Sequence, residues 1–212
     1  MPSEATAESY GAHGALWEAK GYSGRGNVAG LIDSLRHRPA VVAGSGREVF
    51  DEVAEASRLC GGSAVVFAVN DVGVLLPRVD HFVSLHTPKL DLWVALRRDE
   101  TSGGYGNRDF RVHDAGLYGA REWHQWTGLV PTMALSGMFA AQIAYLMGCD
   151  PIILCGCPND GTPRFWETGS ATRNPGYVQV QQQIKAEMAF KPEFKKAVRS
   201  MSGWSREFFG EP

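Results

Sequence analysis

The sequence predicts an α/β fold in which a mostly parallel β-sheet is covered by helices on both faces. Three short segments, residues 39–43, 64–69 and 151–155, have the continuous hydrophobic character of strands buried on both faces, and residues 80–85 are predicted to form a further strand. Helical periodicity follows in segments that include residues 49–59, 72–76, 89–98 and 136–148. Strands and helices that alternate at these lengths are typical of parallel βαβ units.

Composition restricts the class of protein. The chain has 212 residues, of which 44% are hydrophobic and 21% charged, as expected for one globular unit. Its formal net charge of −2 and the lack of a long Lys/Arg run give no signature of non-specific nucleic-acid binding. No apolar run reaches the roughly 18 residues that a membrane span needs.

The cysteines indicate a reducing compartment. We find four of them, and no secretory leader is recognisable at the start of the chain. A chain that can bury a core of this size needs no disulfide framework. We therefore expect free thiols and a cytoplasmic location. Cys155 is expected to lie in the last strand and Cys157 in the loop beyond it, since no second ligand pair at zinc spacing accompanies them.

Three regions are expected along the chain. Residues 1–38, interrupted by glycines, are interpreted as an N-terminal extension, and residues 39–176 as the α/β domain that contains these strands and helices. Residues 177–212 are expected to pack on that domain as two amphipathic helices, over residues 178–189 and 192–200.

Two segments of the central domain have weaker patterns. Residues 109–113 are compatible with a further strand, and residues 115–126 with a helix that ends in tryptophan and histidine residues. The later helix has clearer ends, because Ser136 is a typical N-cap residue and Gly148 a typical stop.

A glycine turn follows the first predicted strand. Gly44-Ser45-Gly46 joins that strand to a helix with little side-chain bulk, so backbone N–H groups and the positive end of the helix can approach an anion. A tight strand–helix connection would explain the same glycines equally well.

Polar or glycine-rich residues also follow the other predicted strands, at residues 70–71, 86–87 and 156–160. Because the carboxyl ends of parallel strands lie on one edge of a sheet, we expect these residues and the glycine turn to form one ligand site. Ser136 and Gly137 add a helix N-terminus, which favours a phosphate or carboxylate.

Common nucleotide motifs fit poorly. Val49 stands where the dinucleotide fingerprint has its third glycine, which disfavours a nicotinamide or flavin enzyme. A Gly-x-x-x-x-Gly-Lys-Ser/Thr sequence, which a P-loop enzyme requires, does not occur. A methyl-donor enzyme stays open, because Asn70 replaces the expected acidic residue but Asp71 could take its role.

The order of five short motifs resembles a known family. They are Val-Val-Ala-Gly-Ser-Gly (41–46), Phe-Ala-Val-Asn (67–70), Phe-Val-Ser-Leu-His (82–86), Leu-Ser-Gly-x-x-Ala-x-x-x-Ala (135–144) and Gly-Cys-Asp-Pro-Ile-Ile-Leu-Cys-Gly (148–156). This order resembles the Rossmann-like sialyltransferases of glycosyltransferase family 42. It is equally similar to their relatives, the 6-hydroxymethylpterin pyrophosphokinase-like proteins. The resemblance covers roughly residues 39–160 and implies a Rossmann-like fold.

The resemblance implies a donor-nucleotide site formed by Gly44, Ser45, Gly46, Asn70, Ser136 and Gly137. The chain departs from the family at three places. Its third strand ends in His86 where the family has Asn, and no histidine follows His124 although the family's catalytic histidine lies beyond the last core strand. The acidic residue expected after that strand's glycine is displaced, with Cys157 close by and Asp160 a few residues later.

Two candidate bases remain. His86 is the first, because an imidazole can accept a hydroxyl proton at neutral pH. Asp160 is the second, or a Mg²⁺ ligand if the reaction is pyrophosphoryl transfer. A strand-end histidine and a turn aspartate would explain both residues without catalysis. Arg164 and Arg173 could bind a phosphate or carboxylate, although a solvated loop would also contain them.

We therefore expect a glycosyltransferase-like enzyme that transfers a group from an activated nucleotide-linked donor to an acceptor. Its donor-binding residues would be Gly44, Ser45, Gly46, Asn70, Asp71, Ser136, Gly137 and Arg164, with His86 and Asp160 catalytic. No cofactor is expected, except Mg²⁺ in the alternative, a pyrophosphoryl or nucleotidyl transferase. The third hypothesis is a non-catalytic nucleotide-binding module. A homo-oligomer is compatible with each of them.

Overall fold

The computed structural model describes residues 28–99, 109–115, 123–126, 129, 135–168 and 176–212. The strands are β1 (Ala40–Ala43), β2 (Val65–Val69), β3 (His81–Val83), β4 (Arg111–Asp114), β5 (His124–Gln125), β6 (Ile152–Cys155) and β7 (Val198–Ser200). The helices are α1 (Val49–Leu59), α2 (Val72–Leu75), α3 (Thr87–Arg98), α4 (Ser136–Leu146), α5 (Gly176–Ala189), α6 (Pro192–Ala197) and α7 (Gly203–Phe209). A 3₁₀ helix, Ala29–Leu31, precedes β1.

The described strands form one seven-stranded sheet in the order β5-β4-β3-β2-β1-β6-β7. Every neighbouring pair in that order runs parallel. In register, Ala43 of β1 is paired with Ala68 of β2 on one side and with Cys155 of β6 on the other. The structure thus confirms the predicted α/β fold with a parallel sheet, in which β1 lies between β2 and β6.

Alternate residues of the central strands face two separate apolar layers. Ala40 and Val42 of β1 pack in the same cluster as the residues of α4, while Val41 packs with Ala56 of α1 on the opposite face. The residues of α4 after Gly137 are buried along their whole length, as expected for an apolar helix inside the molecule. The sheet is therefore covered by helices on both faces, and strand ends, not faces, are left for a site.

The predicted helix over residues 115–126 is wrong at its end. His124 and Gln125 form β5, which pairs with β4 at the edge of the sheet. Trp126 is fully buried, and its backbone N–H donates to the Asp114 carbonyl at 2.9 Å. A short aromatic run does not distinguish helix from buried strand, and this pairing decides between them. Residues 116–122 lie outside the described part of the chain.

The second predicted C-terminal helix is wrong in the same way. α6 ends at Ala197, and Val198–Ser200 continue as β7 beside β6. Val198 and Ser200 are fully buried while Arg199 is half-buried, which is the alternation of a strand rather than a helix. The Ser200 N–H donates to the Gly210 carbonyl at 3.0 Å, so α7, which the sequence did not predict, is tied back to the sheet.

The segment before β1 packs on the end of α4. Val28 and Leu31 belong to the core, and the N–H groups of Asp33 and Leu35 donate to the carbonyls of Leu146 and Met147 at 2.9 and 2.7 Å. Residues 28–38 are thus packed against the domain, whereas residues 1–27 of the predicted extension lie outside the described chain. None of the described helices is long and apolar enough to cross a membrane.

Candidate functional site

A cleft opens where strands β1, β2 and β6 end and helix α4 begins. We call it the carboxyl-edge cleft. Its described lining residues are Gly44, Ser45, Gly46, Val69, Asn70, Leu135, Ser136, Gly137, Met138, Gly156, Cys157, Pro158, Asn159, Gly161, Thr162, Arg164 and Tyr177. Seven of the eight residues predicted to bind the donor are in that set, and Asp71 contacts one of them.

The topology explains why a cleft forms there. The chain leaves β1 toward β2 and β3 on one side of the sheet, and returns to β6 on the other side of β1. At such a switch point the connections that follow β1 and β6 diverge, which leaves a crevice outside the carboxyl ends of these two strands. Gly44–Gly46 follow β1 and Gly156 follows β6, so the two turns are the walls of that crevice.

Both turns need glycine for packing, whether or not a ligand is bound. A Cβ on Gly44 or Gly46 would lie 2.6 or 2.9 Å from the carbonyl oxygen of Gly156. The Gly46 N–H also donates to that carbonyl at 2.8 Å. The close approach of two backbones therefore explains the Gly-x-Gly turn, which the sequence alone could not separate from a ligand contact.

The thiol of Cys157 fills the space between the first turn and α4. Its Sγ lies 2.5 Å from the position of a Cβ on Gly44 and 2.9 Å from that of a Cβ on Gly137. Burial, with a smaller contribution from Glu52, raises the pKa of this thiol to about 12. The thiolate is the nucleophilic form of cysteine, so Cys157 serves packing rather than covalent chemistry.

Helix α4 directs its N-terminus at the cleft. The predicted role of Ser136 as N-cap is wrong, because Leu135 is the N-cap residue and Ser136 is the first residue of the helix. The Ser136 Oγ instead accepts from the Leu85 N–H at 3.4 Å, which leaves its own proton to donate. The first helical hydrogen bond is from Phe139 to Leu135, so the N–H groups of Gly137 and Met138 precede it.

Asn70 lines the cleft, and its amide carbonyl is already hydrogen-bonded. The Ser84 hydroxyl accepts from the His86 N–H at 2.9 Å and donates to the Asn70 Oδ1 at 2.7 Å. This arrangement occupies the carbonyl side of the amide, and leaves Nδ2 as the group that faces a ligand. Asn70 also has a left-handed backbone with φ of 60°, a conformation that Asn tolerates better than most residues.

Ser45 and Asp71 form a pair beside the cleft. The Ser45 hydroxyl donates to the Asp71 Oδ1 at 2.7 Å, and the same oxygen accepts from the Val72 N–H at 3.1 Å as the cap of α2. The carboxylate that follows β2 is thus used to orient a cleft serine. The Ser45 Oγ keeps its lone pairs for a ligand hydroxyl.

Arg164 is brought to the glycine turn by a short antiparallel bridge. Arg164 pairs with Gly46, and the next residue, Phe165, donates its N–H to the Ser45 carbonyl at 3.0 Å. The guanidinium lies 5.2 Å from the centre of the Trp166 ring, which stacks against it. Among the described residues that line the cleft, Arg164 is the one with a formal charge.

The two predicted bases lie beside the cleft and are not among the described residues that line it. His86 is exposed, and precedes α3 at the carboxyl end of β3. Asp160 is half-buried, and its Oδ1 accepts from the Thr162 N–H at 2.9 Å and from the Thr162 hydroxyl at 2.5 Å. Its Oδ2 accepts from the Trp204 N–H at 3.3 Å, so Asp160 also joins this loop to the start of α7.

Sequence reasoning missed Glu52, whose side chain is hydrogen-bonded to the turn after β6 that lines the cleft. Glu52 lies in the first turn of α1, is 9% exposed, and its Oε2 accepts from the Gly156 N–H at 2.6 Å. A glutamate in the first turn of a helix has an ordinary electrostatic explanation, so the residue pattern contains no signal of this contact.

Helices α5 and α7 pack on the loop after β6, which lines the cleft. The sequence did not indicate this packing either. Gln181 of α5 donates to the Asn159 carbonyl at 2.8 Å, and the Asn159 Nδ2 donates to the Ser205 Oγ of α7 at 2.9 Å. Tyr177, in the first turn of α5, lines the cleft. Each contact joins residues more than 20 positions apart, beyond the reach of local patterns.

The described side chains give no sign of a resident metal. They contain no group of three His, Cys, Asp or Glu residues arranged to hold an ion. All four cysteines are free thiols, as predicted.

No match was found when the chain was compared with models of protein families, with curated proteins and with solved structures. The resemblance to the family 42 sialyltransferases and their relatives therefore stands on the short motifs alone. The function is accordingly argued from the geometry of the cleft.

Proposed function

We propose that the carboxyl-edge cleft binds the phosphate-bearing part of a nucleotide-linked donor, and that the protein is a glycosyltransferase-like enzyme. The cleft among the described residues has a volume of about 130 Å³. This is less than the roughly 300 Å³ of a typical small-molecule site, so these walls would surround only part of such a donor.

One observation carries the proposal: the groups that the cleft offers are mostly hydrogen-bond donors. Asn70 Nδ2, the Ser136 hydroxyl, the first N–H groups of α4 and the Arg164 guanidinium all donate, and no carboxylate is among the described lining residues. The positive end of the α4 dipole adds to the same preference. A site of this polarity favours a ligand rich in acceptor oxygens and negative charge, which describes a phosphate or diphosphate.

The transfer step follows from the chemistry of such a donor. The bond between the transferred sugar carbon and the phosphate oxygen breaks, and a new bond forms between that carbon and an acceptor hydroxyl oxygen. The hydroxyl proton passes to a base, and the nucleotide leaves with both electrons of the broken bond. Arg164 and the start of α4 would stabilise the negative charge that develops on the leaving phosphate. His86 is the first candidate base, because the carboxylate of Asp160 already accepts three hydrogen bonds.

Binding can be tested separately from turnover. Cytidine, uridine, guanosine and adenosine mono- and diphosphates would be screened by thermal unfolding, since a ligand that binds only the folded state raises Tm. We expect at least one series to raise Tm, and Arg164→Gln to weaken that ligand about tenfold or more through loss of a charge-assisted bond. Arg58→Gln, on the exposed face of α1, is the matched control and should leave the affinity unchanged.

Turnover is then tested with nucleotide sugars of the series that binds. Release of free nucleotide that depends on an acceptor, and that falls steeply in His86→Ala, would support the enzyme. Binding without turnover, together with equal behaviour of His86→Ala and the wild type, would contradict the transferase proposal while leaving the nucleotide site intact.

That second outcome describes the alternative, a non-catalytic nucleotide-binding module. The observation that favours it is that no imidazole or carboxylate lines the cleft among the described residues. A Mg²⁺-dependent pyrophosphoryl or nucleotidyl transferase would instead require the metal and lose activity in Asp160→Asn. Because Asp160 also bonds to Thr162 and Trp204, that variant needs a parallel measurement of its unfolding free energy.

A further inference from the structure

A second pocket lies at the opposite edge of the sheet, where strands β2, β3 and β4 begin. We call it the amino-edge pocket. It has a volume of about 490 Å³, within the range of small-molecule sites. The residues used below are Arg38, from the segment before β1, His81, at the first position of β3, and Arg111, at the first position of β4.

A chain of buried hydrogen bonds fixes the proton positions on His81. Trp126 Nε1–H can only donate, and it donates to His113 Nδ1 at 3.0 Å. A neutral His113 must then carry its proton on Nε2, which lies 2.8 Å from His81 Nδ1. His81 Nδ1 is therefore the acceptor, and the proton of a neutral His81 is on Nε2.

The His81 Nε2–H is thus a donor in a ring that lines the pocket. His81 is 4% exposed, and its ring is stacked on Phe67 with a centroid separation of 4.4 Å. Its one hydrogen-bond partner among the described residues is His113, at the other ring nitrogen. Nε2 is not one of the described buried polar atoms that lack a partner, so this N–H opens to the pocket, where a bound acceptor can reach it.

Two guanidinium groups border this donor. Arg111 is the register partner of His81 in the sheet, and Arg38 lines the pocket from the segment before β1. Burial first, then the positive charges of Arg111, His124 and Arg38, lower the pKa of His81 to about 3. The imidazole is neutral at physiological pH, and the arginines supply the positive potential.

Two carboxylates also line the pocket. Asp80 is occupied, because it forms an ion pair with Arg78 at 3.0 Å and accepts from the Val66 N–H at 2.8 Å. Asp109 is an exposed residue of the rim. The pocket therefore also contains donors, which are the His81 Nε2–H, Arg111, and Arg38, one of whose nitrogens donates to the Ser63 carbonyl at 3.4 Å.

We propose that the amino-edge pocket binds a phosphate group, held by Arg38 and Arg111 and by the Nε2–H of His81. The phosphate group can belong to inorganic phosphate or to a phosphorylated small molecule. This site is independent of the carboxyl-edge cleft, because the two lie at opposite ends of the strands.

The test is a titration of the whole protein with inorganic phosphate, at neutral pH and constant ionic strength, followed by ¹H–¹⁵N spectra of the imidazoles and backbone amides. We expect both His81 and His113 to show the Nε2–H tautomer, and the His81 Nε2–H resonance to move in a saturable way. Arg111→Gln should weaken the phosphate affinity read from His81 about tenfold or more. Arg206→Gln, an exposed arginine of α7, is the matched control and should leave it unchanged.

The same spectra separate this site from the cleft. A change in the chemical shift of the Gly137 amide reports phosphate in the cleft. Arg164→Gln should weaken the phosphate affinity read from Gly137 without altering the His81 response. A saturable change at Gly137 with none at His81 would overturn the amino-edge site and leave the proposed function standing. A His81 proton found on Nδ1, or an Arg111→Gln variant with unchanged affinity, would also overturn it.

Discussion

Gly137 and Cys157 share one small volume between the start of α4 and the end of β6. Because Sγ lies 2.9 Å from the position of a Cβ on Gly137, the two residues cannot both carry larger side chains without a shift of the backbone. The helix N-terminus can approach the glycine turns only because this pair is small. The position of the proposed phosphate site therefore depends on residues that need not touch the ligand.

Gly137→Ala is expected to destabilise the protein by roughly 1–3 kcal/mol through overpacking against Cys157. In the background of Cys157→Ala the same substitution should be neutral or stabilising, since Ala favours a helix over Gly by about 1 kcal/mol. Urea unfolding of the two single variants and the double variant measures this coupling as a thermodynamic cycle.

Gly44→Ala is the matched comparison. Its Cβ would meet Cys157 Sγ at 2.5 Å and also the Gly156 carbonyl oxygen at 2.6 Å. Removal of the thiol relieves only the first contact, so Cys157→Ala should not rescue Gly44→Ala. Equal rescue of both glycine variants would mean that the backbone approach of the two turns is looser than the structure has it.

At the level of elements, helix α1 supports the turn after β6 through a single buried side chain. Glu52 accepts the Gly156 N–H at 2.6 Å, and Gly156 has φ of 60° with its Cβ position 2.7 Å from Val49 of the same helix. The turn is thus held by a hydrogen bond and by close packing at one point. Both contacts must survive if the cleft is to keep its shape.

Glu52→Ala should lower the free energy of unfolding by roughly 1–3 kcal/mol, because it leaves the buried Gly156 N–H without an acceptor. Glu52→Gln keeps an acceptor oxygen in place, and should cost less than half as much. Glu55→Ala, one turn along α1, removes an exposed ion pair with Arg58 and should change stability by less than about 0.5 kcal/mol. Urea unfolding compares the three, and a Gln variant as unstable as the Ala variant would contradict this role of the bond.

Comparison of elements shows which parts of the fold the sequence could predict. β1, β2 and β6 are continuous apolar runs that a soluble chain can bury only in a covered sheet, so their pattern determined the fold class and the strand ends that meet at the cleft. β5 and β7 were missed because each is a short strand at an outer edge of the sheet, and is defined by its one neighbour. No local pattern contains that information.

The residues of the candidate site also fall into two groups, those that local patterns predicted and those that tertiary packing positions. Ser45, Asn70 and Gly137 were found because they follow strands or begin a helix, and parallel topology brings such positions together. Glu52 supports the cleft and Tyr177 lines it through tertiary packing of helices, which residue types alone do not indicate. The assignment of Ser136 as N-cap failed for a related reason, since a distant N–H, that of Leu85, lies within reach of its hydroxyl.

At the scale of the whole molecule, the edge of the sheet formed by β3, β4 and β5 contains a buried network of neutral histidines. Hydrogen bonds join His81 to His113 and His113 to Trp126. His124 stacks on His113 with a centroid separation of 5.1 Å. Burial is the first cause that lowers the pKa of each of the three histidines, and Arg111 lowers each further. A proton on His113 Nδ1 would also oppose the Trp126 N–H.

Because the pKa values of these histidines are lowered in the folded chain, we expect acid to reduce the stability of the fold. In the unfolded chain a histidine takes up a proton near pH 6.5, whereas His81 in the folded chain does so only near pH 3. The unfolded state therefore binds more protons between these values, so stability is complete above about pH 6.5 and falls as the pH decreases. His81 should remove about 2 kcal/mol between pH 6.5 and pH 5, at about 1.4 kcal/mol per pH unit. His113, whose pKa burial also lowers, acts in the same direction.

Carboxylates also titrate in acid, so the contribution of the network must be isolated by a variant. His81→Phe keeps an aromatic ring against Phe67 and removes one of the two strongly shifted groups. It should cost stability at neutral pH, because His113 loses its acceptor, but the loss of stability between pH 6.5 and pH 5 should be about 2 kcal/mol smaller than in the wild type. Urea unfolding at several pH values measures both quantities. If the two proteins lost equal stability over this range, His81 would have to be protonated in the folded state near pH 6, and the hydrogen-bond direction from Trp126 through His113 to His81 would be wrong.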